Sequence, residues 1–170
     1  MAKPTENTNV GSGLQIENEA PADQYIATCV RIIDQFGVMR KKFQSQEDVK
    51  KDVTRFIFGV YGPKNTLYLI QTFEFTISTA PTANLMAFLK AWLGKTPEMG
   101  WDYHELVGKG AAIIVERKTS TRNPSKSYAQ IASIGAVFPQ LQPLVAPAKL
   151  YGPLLLAASQ AKPAERTPLA

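Results

Sequence analysis

The sequence predicts a mainly β domain: a five-stranded barrel with one helix between its third and fourth strands and a flexible tail at each end. Three observations predict it. Three runs rich in β-branched and aromatic residues come first. The apolar spacing then changes from a strand pattern to a helical one, and two further β-type runs follow around a polar loop.

Residues 1–23 are rich in Asn, Thr, Glu, Gly and Pro without any period, and read as a disordered arm. The first strand is predicted over 24–34, where Tyr25, Ile26, Val30, Ile32 and Ile33 make both phases apolar, as in a strand buried on much of both faces. A polar, basic stretch from Met39 to Lys51 reads as a loop carrying Arg40, Lys41 and Lys42. The second strand is predicted over 52–61. Gly62-Pro63-Lys64-Asn65 turns the chain, because Pro presets φ while Gly and Asn tolerate positive φ. The third strand, over 66–77, pairs back as a long hairpin.

Leu85, Phe88, Leu89, Trp92 and Leu93 recur at i, i+3, i+4, i+7 and i+8, one face of a helix. Thr82 is the expected N-cap and Gly94 the expected stop. A second helical turn is expected over 102–106, ended by Gly108. The fourth strand is predicted over 111–117, a flexible loop over 118–126, and the fifth strand over 127–134. From Pro139 onward, prolines at 139, 143, 147, 153, 163 and 168 predict a Pro/Ala/Leu-rich mobile extension, with Leu154-Leu155-Leu156 as a sticky segment. The domain limits are therefore 1–23, 24–138 and 139–170. A meander, a helix and a closing hairpin form the chain order of the OB-type Greek-key barrel, whose open end the helix would plug.

The chain has 170 residues, a formal charge of +5 and a single cysteine. Residues 1–23 contribute −3 and residues 139–170 contribute +2, which leaves +6 on the middle segment. A basic core points to a polyanion. The longest apolar stretches fall far short of the ~18 residues that span a bilayer, and no signal-peptide core is visible at the start. Cys29 alone forms no internal disulfide, so a cytoplasmic protein is expected, with no membrane partner.

Catalytic chemistry is not legible. Gly94-Lys95-Thr96 lacks the upstream glycine of a phosphate loop, Leu89 standing in its place. Cys29 and His104 are too few for a zinc site or a nucleophile–base pair. The expectation is no enzyme, no cofactor and no metal, with His104 on the surface and Cys29 in the core.

Single strands are held by cations that track phosphate and by aromatic faces that stack bases. OB barrels do this over strands two and three, between the loops joining strands one–two and four–five. The candidate contacts are Arg40, Lys41 and Lys42 from the first loop, Arg55 and Tyr61 on strand two, and Tyr68 on strand three. Arg117, Lys118, Arg122 and Lys126 from the other loop, with Tyr128, complete the set. Alternation assigns Phe56, Phe58, Phe73 and Phe75 to the core and turns Arg55, Tyr61 and Tyr68 outward.

From Phe75 to Ile134 the sequence resembles a family of phage-encoded single-stranded-DNA-binding proteins of the OB type. The residues that carry this are Phe75-Thr76-Ile77-Ser78, Asn84-Leu85, Phe88-Leu89 and Trp92-Leu93-Gly94-Lys95. Leu106-Val107-Gly108-Lys109 and the run from Ser127 to Ile134 continue it, while Arg55-Phe56-Ile57-Phe58 fits more loosely. The resemblance implies sequence-tolerant binding of single-stranded DNA during phage DNA replication or recombination, in the host cytoplasm. Replication or recombination proteins and further copies of the chain are candidate partners. Residues 163–170 hold one acid against one base, so the acidic tip by which many such proteins recruit replication enzymes is not expected. A protein-interaction scaffold and an RNA-binding module remain as alternatives.

Overall fold

A computed structural model describes residues 16, 18–41, 47–78, 80, 83–98, 100–121 and 123–166. The fold is mainly β. Six strands form one antiparallel sheet: β1 (Asp23–Lys41), β2 (Asp48–Tyr61), β3 (Leu67–Gln71), β4 (Phe75–Thr76), β5 (Gly110–Thr119) and β6 (Ser127–Gly135). The order is β3-β2-β1-β5-β6, with β4 paired to β2. The helices are α1 (Asn84–Leu93) and α2 (Gly152–Arg166).

The strand count differs from the five expected because the run over 66–77 breaks at Thr72-Phe73-Glu74. Thr72 causes the break. Its N–H donates to the Phe56 carbonyl at 2.9 Å, and its hydroxyl accepts from the Phe56 N–H at 3.1 Å. A side chain thus takes a ladder position, and β4 resumes opposite Val53 and Thr54.

β1 is far longer than predicted and serves both halves of the sheet. Asp23–Thr28 pair with β5, and Thr28–Lys41 pair with β2. Irregularities at Cys29/Arg31 and Gln35/Val38 mark bulges, which bend a strand and raise its twist. The first leaves Cys29 to exchange backbone bonds with Gly108 and Lys109 at 2.7 and 2.9 Å. The second carries Gly37 at φ +66°. The expected basic loop at 39–51 is therefore largely ladder: Met39, Arg40 and Lys41 pair with Lys50, Val49 and Asp48.

The main core lies between the sheet and α1. Leu85, Leu89 and Trp92 are buried there, and Phe88 and Leu93 pack against them, so the predicted helix face is the packed face. Gly94 ends the helix at φ +78°, its N–H donating to the Lys90 carbonyl. The expected cap Thr82 lies outside the described residues; the helix opens after Ala83. Phe56 sits at the centre, with ring centroids 5.0 Å from Phe88, 5.9 Å from Tyr103 and 6.0 Å from Trp92. The Trp92 indole donates to the Gly110 carbonyl at 2.9 Å, so its one polar group is satisfied. The expected turn before Gly108 is a 3₁₀ turn over Tyr103–Leu106, capped by Asp102.

The C-terminal segment is not the mobile extension expected. Two 3₁₀ turns, Pro139–Leu144 and Ala148–Tyr151, lead into α2. Pro139 occupies the first turn of its segment, and Pro153 is the second residue of α2. At such positions a missing N–H costs nothing. Tyr151 and Leu155, four apart and so on one face, form a second cluster with Val30, Ile33, Ile57 and Leu69 on the outer side of the sheet. The Tyr151 ring lies over Gly59 so closely that any Cβ there would stand 2.5 Å from it. Thr28 ties the approach, donating to the Ala146 carbonyl at 2.7 Å.

This cover overturns the expected facing of strand three. Tyr68 and Ile70 point into the main core, whereas Leu67 and Leu69 lie under α2. Both faces of β3 are covered, and the more apolar phase is not the inner one. After the break the phase reverses, and Phe75 turns inward against Phe56.

The sheet stays open between its two edge strands, although β3 and β6 approach each other. Asn18 bridges the gap. Its carbonyl accepts from the Ala129 N–H on β6 at 2.7 Å, and its Oδ1 accepts from the Gln71 N–H on β3 at 3.1 Å. Asn18 holds φ +51°, a conformation that Asn tolerates better than most residues. The final part of the expected N-terminal arm is thus tied down, with Ala20 fully buried. Residues 1–15 and 17 lie outside the described residues.

Candidate nucleic-acid interface

The β1–β2 hairpin carries the first group of candidates. Arg40 forks onto Glu74, its Nε and Nη2 each 2.8 Å from a carboxylate oxygen. Two parallel charge-assisted bonds fix both side chains. The hydrogen bond from Arg40 holds Glu74 below its ordinary value against partial burial, helped by the charges of Arg40, Arg55 and Lys51. Arg55 lies on the outer face, half-buried; burial lowers its guanidinium, and the Glu74 charge offsets part of that. Three cations therefore surround one carboxylate. Lys41 pairs with Asp48 at 3.0 Å. Lys42 lies outside the described residues.

The β5–β6 hairpin carries the second group. Lys118 is exposed and pairs with Glu116 on its own strand at 3.0 Å. Lys126 is exposed at the end of a turn closed by the Ser120 N–H on its carbonyl. Arg122 lies outside the described residues. Arg117 is engaged differently. Its guanidinium donates to the carbonyls of Asn18 and Ala20 at 3.2 and 3.1 Å, and to Ser127 Oγ at 2.8 Å. It anchors the incoming chain to β5 and β6, so we read it as a structural residue rather than a strand contact.

The three tyrosines part company. Tyr61 is half exposed at the end of β2. Tyr68 is turned inward, with its ring against Gly62, and is not the outward ligand expected. Tyr128 is partly buried and lines a groove at the open side of the sheet.

The groove is lined by none of these cations. It has a volume of about 430 Å³ and lies between the β3–β4 connection, α1 and β6. Phe73, Phe75 and Phe88 line it on one side, and Tyr128, Ile131 and Ile134 on the other. Phe73, expected in the core, is 60% exposed because the break at Thr72 releases it from the inner phase. It immediately precedes Glu74, the hub of the first cationic group, while Tyr128 is the second residue of β6 and pairs with Lys118. The covered and open parts of the outer β2 face are thus distinct: Ile57 and Gly59 lie beneath the C-terminal segment, and Arg55 lies beyond it.

Sequence reasoning missed Phe73, Gln71, Glu74, Lys51 and Asn18. The polar residues Thr72 and Glu74 flanking Phe73 were the available signal that the strand is interrupted there.

His104 is exposed, as expected, but engaged. Its Nδ1 lies 2.7 Å from Asp102 Oδ1 and its Nε2 lies 2.8 Å from Asp34 Oδ2. Tyr103 stacks on it and donates to Asp34 Oδ1 at 2.9 Å. Burial alone would lower the imidazole, but the Asp102 hydrogen bond and the Asp34 and Asp102 charges raise it overall. Cys29 is buried, and desolvation pushes its thiol up to about 12. At neutral pH it is a small apolar filler with no appreciable thiolate. Among the described residues, no group of three or more His, Cys, Asp or Glu is placed to hold a metal ion. No helix among them is long and apolar enough to cross a membrane.

No family model and no curated protein matches the chain.

Proposed function

We propose that this protein is a sequence-tolerant binder of single-stranded DNA built on an OB-type barrel, acting without catalysis in phage DNA replication or recombination. The observation that carries the reading is the groove at the open side of the sheet, with exposed Phe73 and half-buried Tyr128 at its walls. Cationic residues lie on the β1–β2 and β5–β6 hairpins, with Lys118 opposite Tyr128 in the β5–β6 ladder. The strand order β3-β2-β1-β5-β6, with a helix before β5, supports an OB barrel whose two end strands, β3 and β6, approach without a ladder. The contact set is Arg40, Lys41, Lys51, Arg55, Lys118 and Lys126 for phosphate, with Phe73 and Tyr128 for bases. Replication or recombination proteins, or further copies of the chain, would join it on the strand.

Anisotropy of a fluorescent oligonucleotide tests this. The logarithm of the binding constant should fall linearly with the logarithm of salt, with a slope of about −0.7 per phosphate neutralised. Absence of salt-sensitive binding at low ionic strength would overturn the reading. Competition with RNA of the same sequence separates DNA from RNA preference. The C-terminal segment, on which a scaffold role would depend, is docked on the sheet through Tyr151 and Leu155.

A further inference from the structure

We propose that the Glu74 carboxylate holds, in the free protein, the place of one backbone phosphate, and that a bound strand takes Arg40 over from it. This rests on the single-strand-binding reading above. It adds an internal competitor to that reading: the protein carries its own anion in the cationic patch of the β1–β2 hairpin, and the strand displaces it.

Three observations converge on Glu74. The first is the shape of the contact. Arg40 presents Nε and Nη2 to the two carboxylate oxygens, both at 2.8 Å. A guanidinium grips two oxygens of a phosphate in the same parallel, two-bond geometry. The second is the surrounding charge. Lys51 and Arg55 alternate with Val53 on β2, so they share one face, about 13 Å apart along the strand. Val38 stands opposite Lys51 in the ladder, which puts Arg40, two residues on, on that face as well. The charges of Arg40, Arg55 and Lys51 all bear on the one carboxylate. Three cations against one anion leave the patch positive even with Glu74 in place. The third is where Glu74 is attached. It ends the Thr72-Phe73-Glu74 break, after the last pair of β3 at Gln71 and before the first pair of β4 at Phe75. A carboxylate on that connection swings off Arg40 without breaking a strand pair.

The exchange keeps the contacts of Arg40 in number and kind. A phosphodiester brings the same paired oxygens and a negative charge, and forms the two bonds that Glu74 gives up. Glu74 returns to water, and a partly exposed ion pair of this sort loses little by opening. Phosphodiesters also come in series along a strand, so Lys51 and Arg55 meet neighbouring phosphates on the same face.

The test is a double-mutant cycle on the full-length protein, with Arg40→Gln, Glu74→Gln and both together. It reads the affinity at low salt of an oligo-dT of about 16 nucleotides without terminal phosphates, so that only diesters are offered. Glu74→Gln should tighten binding several-fold and steepen the salt slope, because the patch then meets the strand with its full charge. Arg40→Gln should weaken binding little in the natural protein, where the bond to phosphate replaces the bond to Glu74. In the Glu74→Gln background it should weaken binding about tenfold, the size of a lost charge-assisted contact. The Arg40 Nε–H resonance, assigned by its disappearance in Arg40→Gln, should move when the strand is added to the natural protein. Equal losses on Arg40→Gln in both backgrounds would overturn the exchange, because Glu74 would then act only as a charge at a distance. A loss confined to the natural protein would overturn it in the opposite sense, with Glu74 holding Arg40 in position for the strand. An unmoved Arg40 resonance on a strand that does bind would also sink it, while leaving strand binding intact. Failure of all four proteins to bind the strand would remove the underlying reading itself.

Discussion

The outer face of β2 has two halves that differ in kind. Ile57 and Gly59 lie under Tyr151 and Leu155, sealed by the C-terminal segment. Arg55, two residues away on the same strand and the same face, lies beside Glu74 among cations. Alternation places these residues on one side; it does not decide what covers that side. The difference lies in side-chain size and solvation. A glycine lets an aromatic ring approach the backbone, whereas a guanidinium resists the desolvation that a docked helix would impose.

The covered half can be broken at its centre. Replacing Tyr151 by Ala removes a fully buried ring, and should cost about 3–5 kcal/mol, as for other buried aromatics. Denaturant unfolding followed by near-UV spectroscopy would read it. A loss under about 1 kcal/mol would mean the segment rests only loosely on the sheet. Gly59→Ala attacks the same contact from beneath. Its Cβ would stand 2.5 Å from the ring, and overpacking of this sort costs about 1–3 kcal/mol. Faster hydrogen exchange over α2, with the main core still protected, is the expected signature.

The inner side of the sheet supplies a pH-dependent control. His104 has its folded-state value raised, so its contribution is fully present below the unfolded value of about 6.5 and is lost as pH rises through the folded value. The melting-temperature gap between the natural protein and His104→Gln should therefore be widest in mild acid and should close with rising pH. A gap that widens with pH would mean the imidazole is held neutral.

The open half should respond least in stability. Glu74→Gln dissolves a partly exposed ion pair, worth at most about 1 kcal/mol. It also leaves the charges of Arg40, Arg55 and Lys51 without an opposing carboxylate, so binding of oligo-dT at low salt should tighten several-fold. Unchanged binding would remove the β1–β2 hairpin from the interface.

The helical period of Leu85 to Leu93, its stop at Gly94 and the core positions Phe56 and Phe58 were legible because one strong pattern has one packing partner. The phase of β3 was not. Leu67 and Leu69 look like core because they are buried, but the element burying them lies far along the chain, near its C-terminus. Short 3₁₀ turns leave no hydrophobic period, and prolines at first-turn positions imitate those of a loop. In the candidate site, the cations were legible by type and not by role. Arg117 and Lys118 are neighbours in sequence, yet one holds backbone carbonyls and the other faces solvent. Phe73 was hidden by its composition, since an aromatic in an apolar run reads as interior until the strand is seen to break.

Asn18 has a consequence for how the molecule behaves among its own copies. One residue occupies hydrogen-bonding groups on both edge strands at the point where they draw together. Edges left open are templates on which other chains can pair. Asn18→Gly would keep the positive φ and the carbonyl while surrendering the bond to Gln71, and would leave an edge N–H of β3 facing outward. Asn18 thus closes one point at which a further strand would otherwise find a free β3 donor.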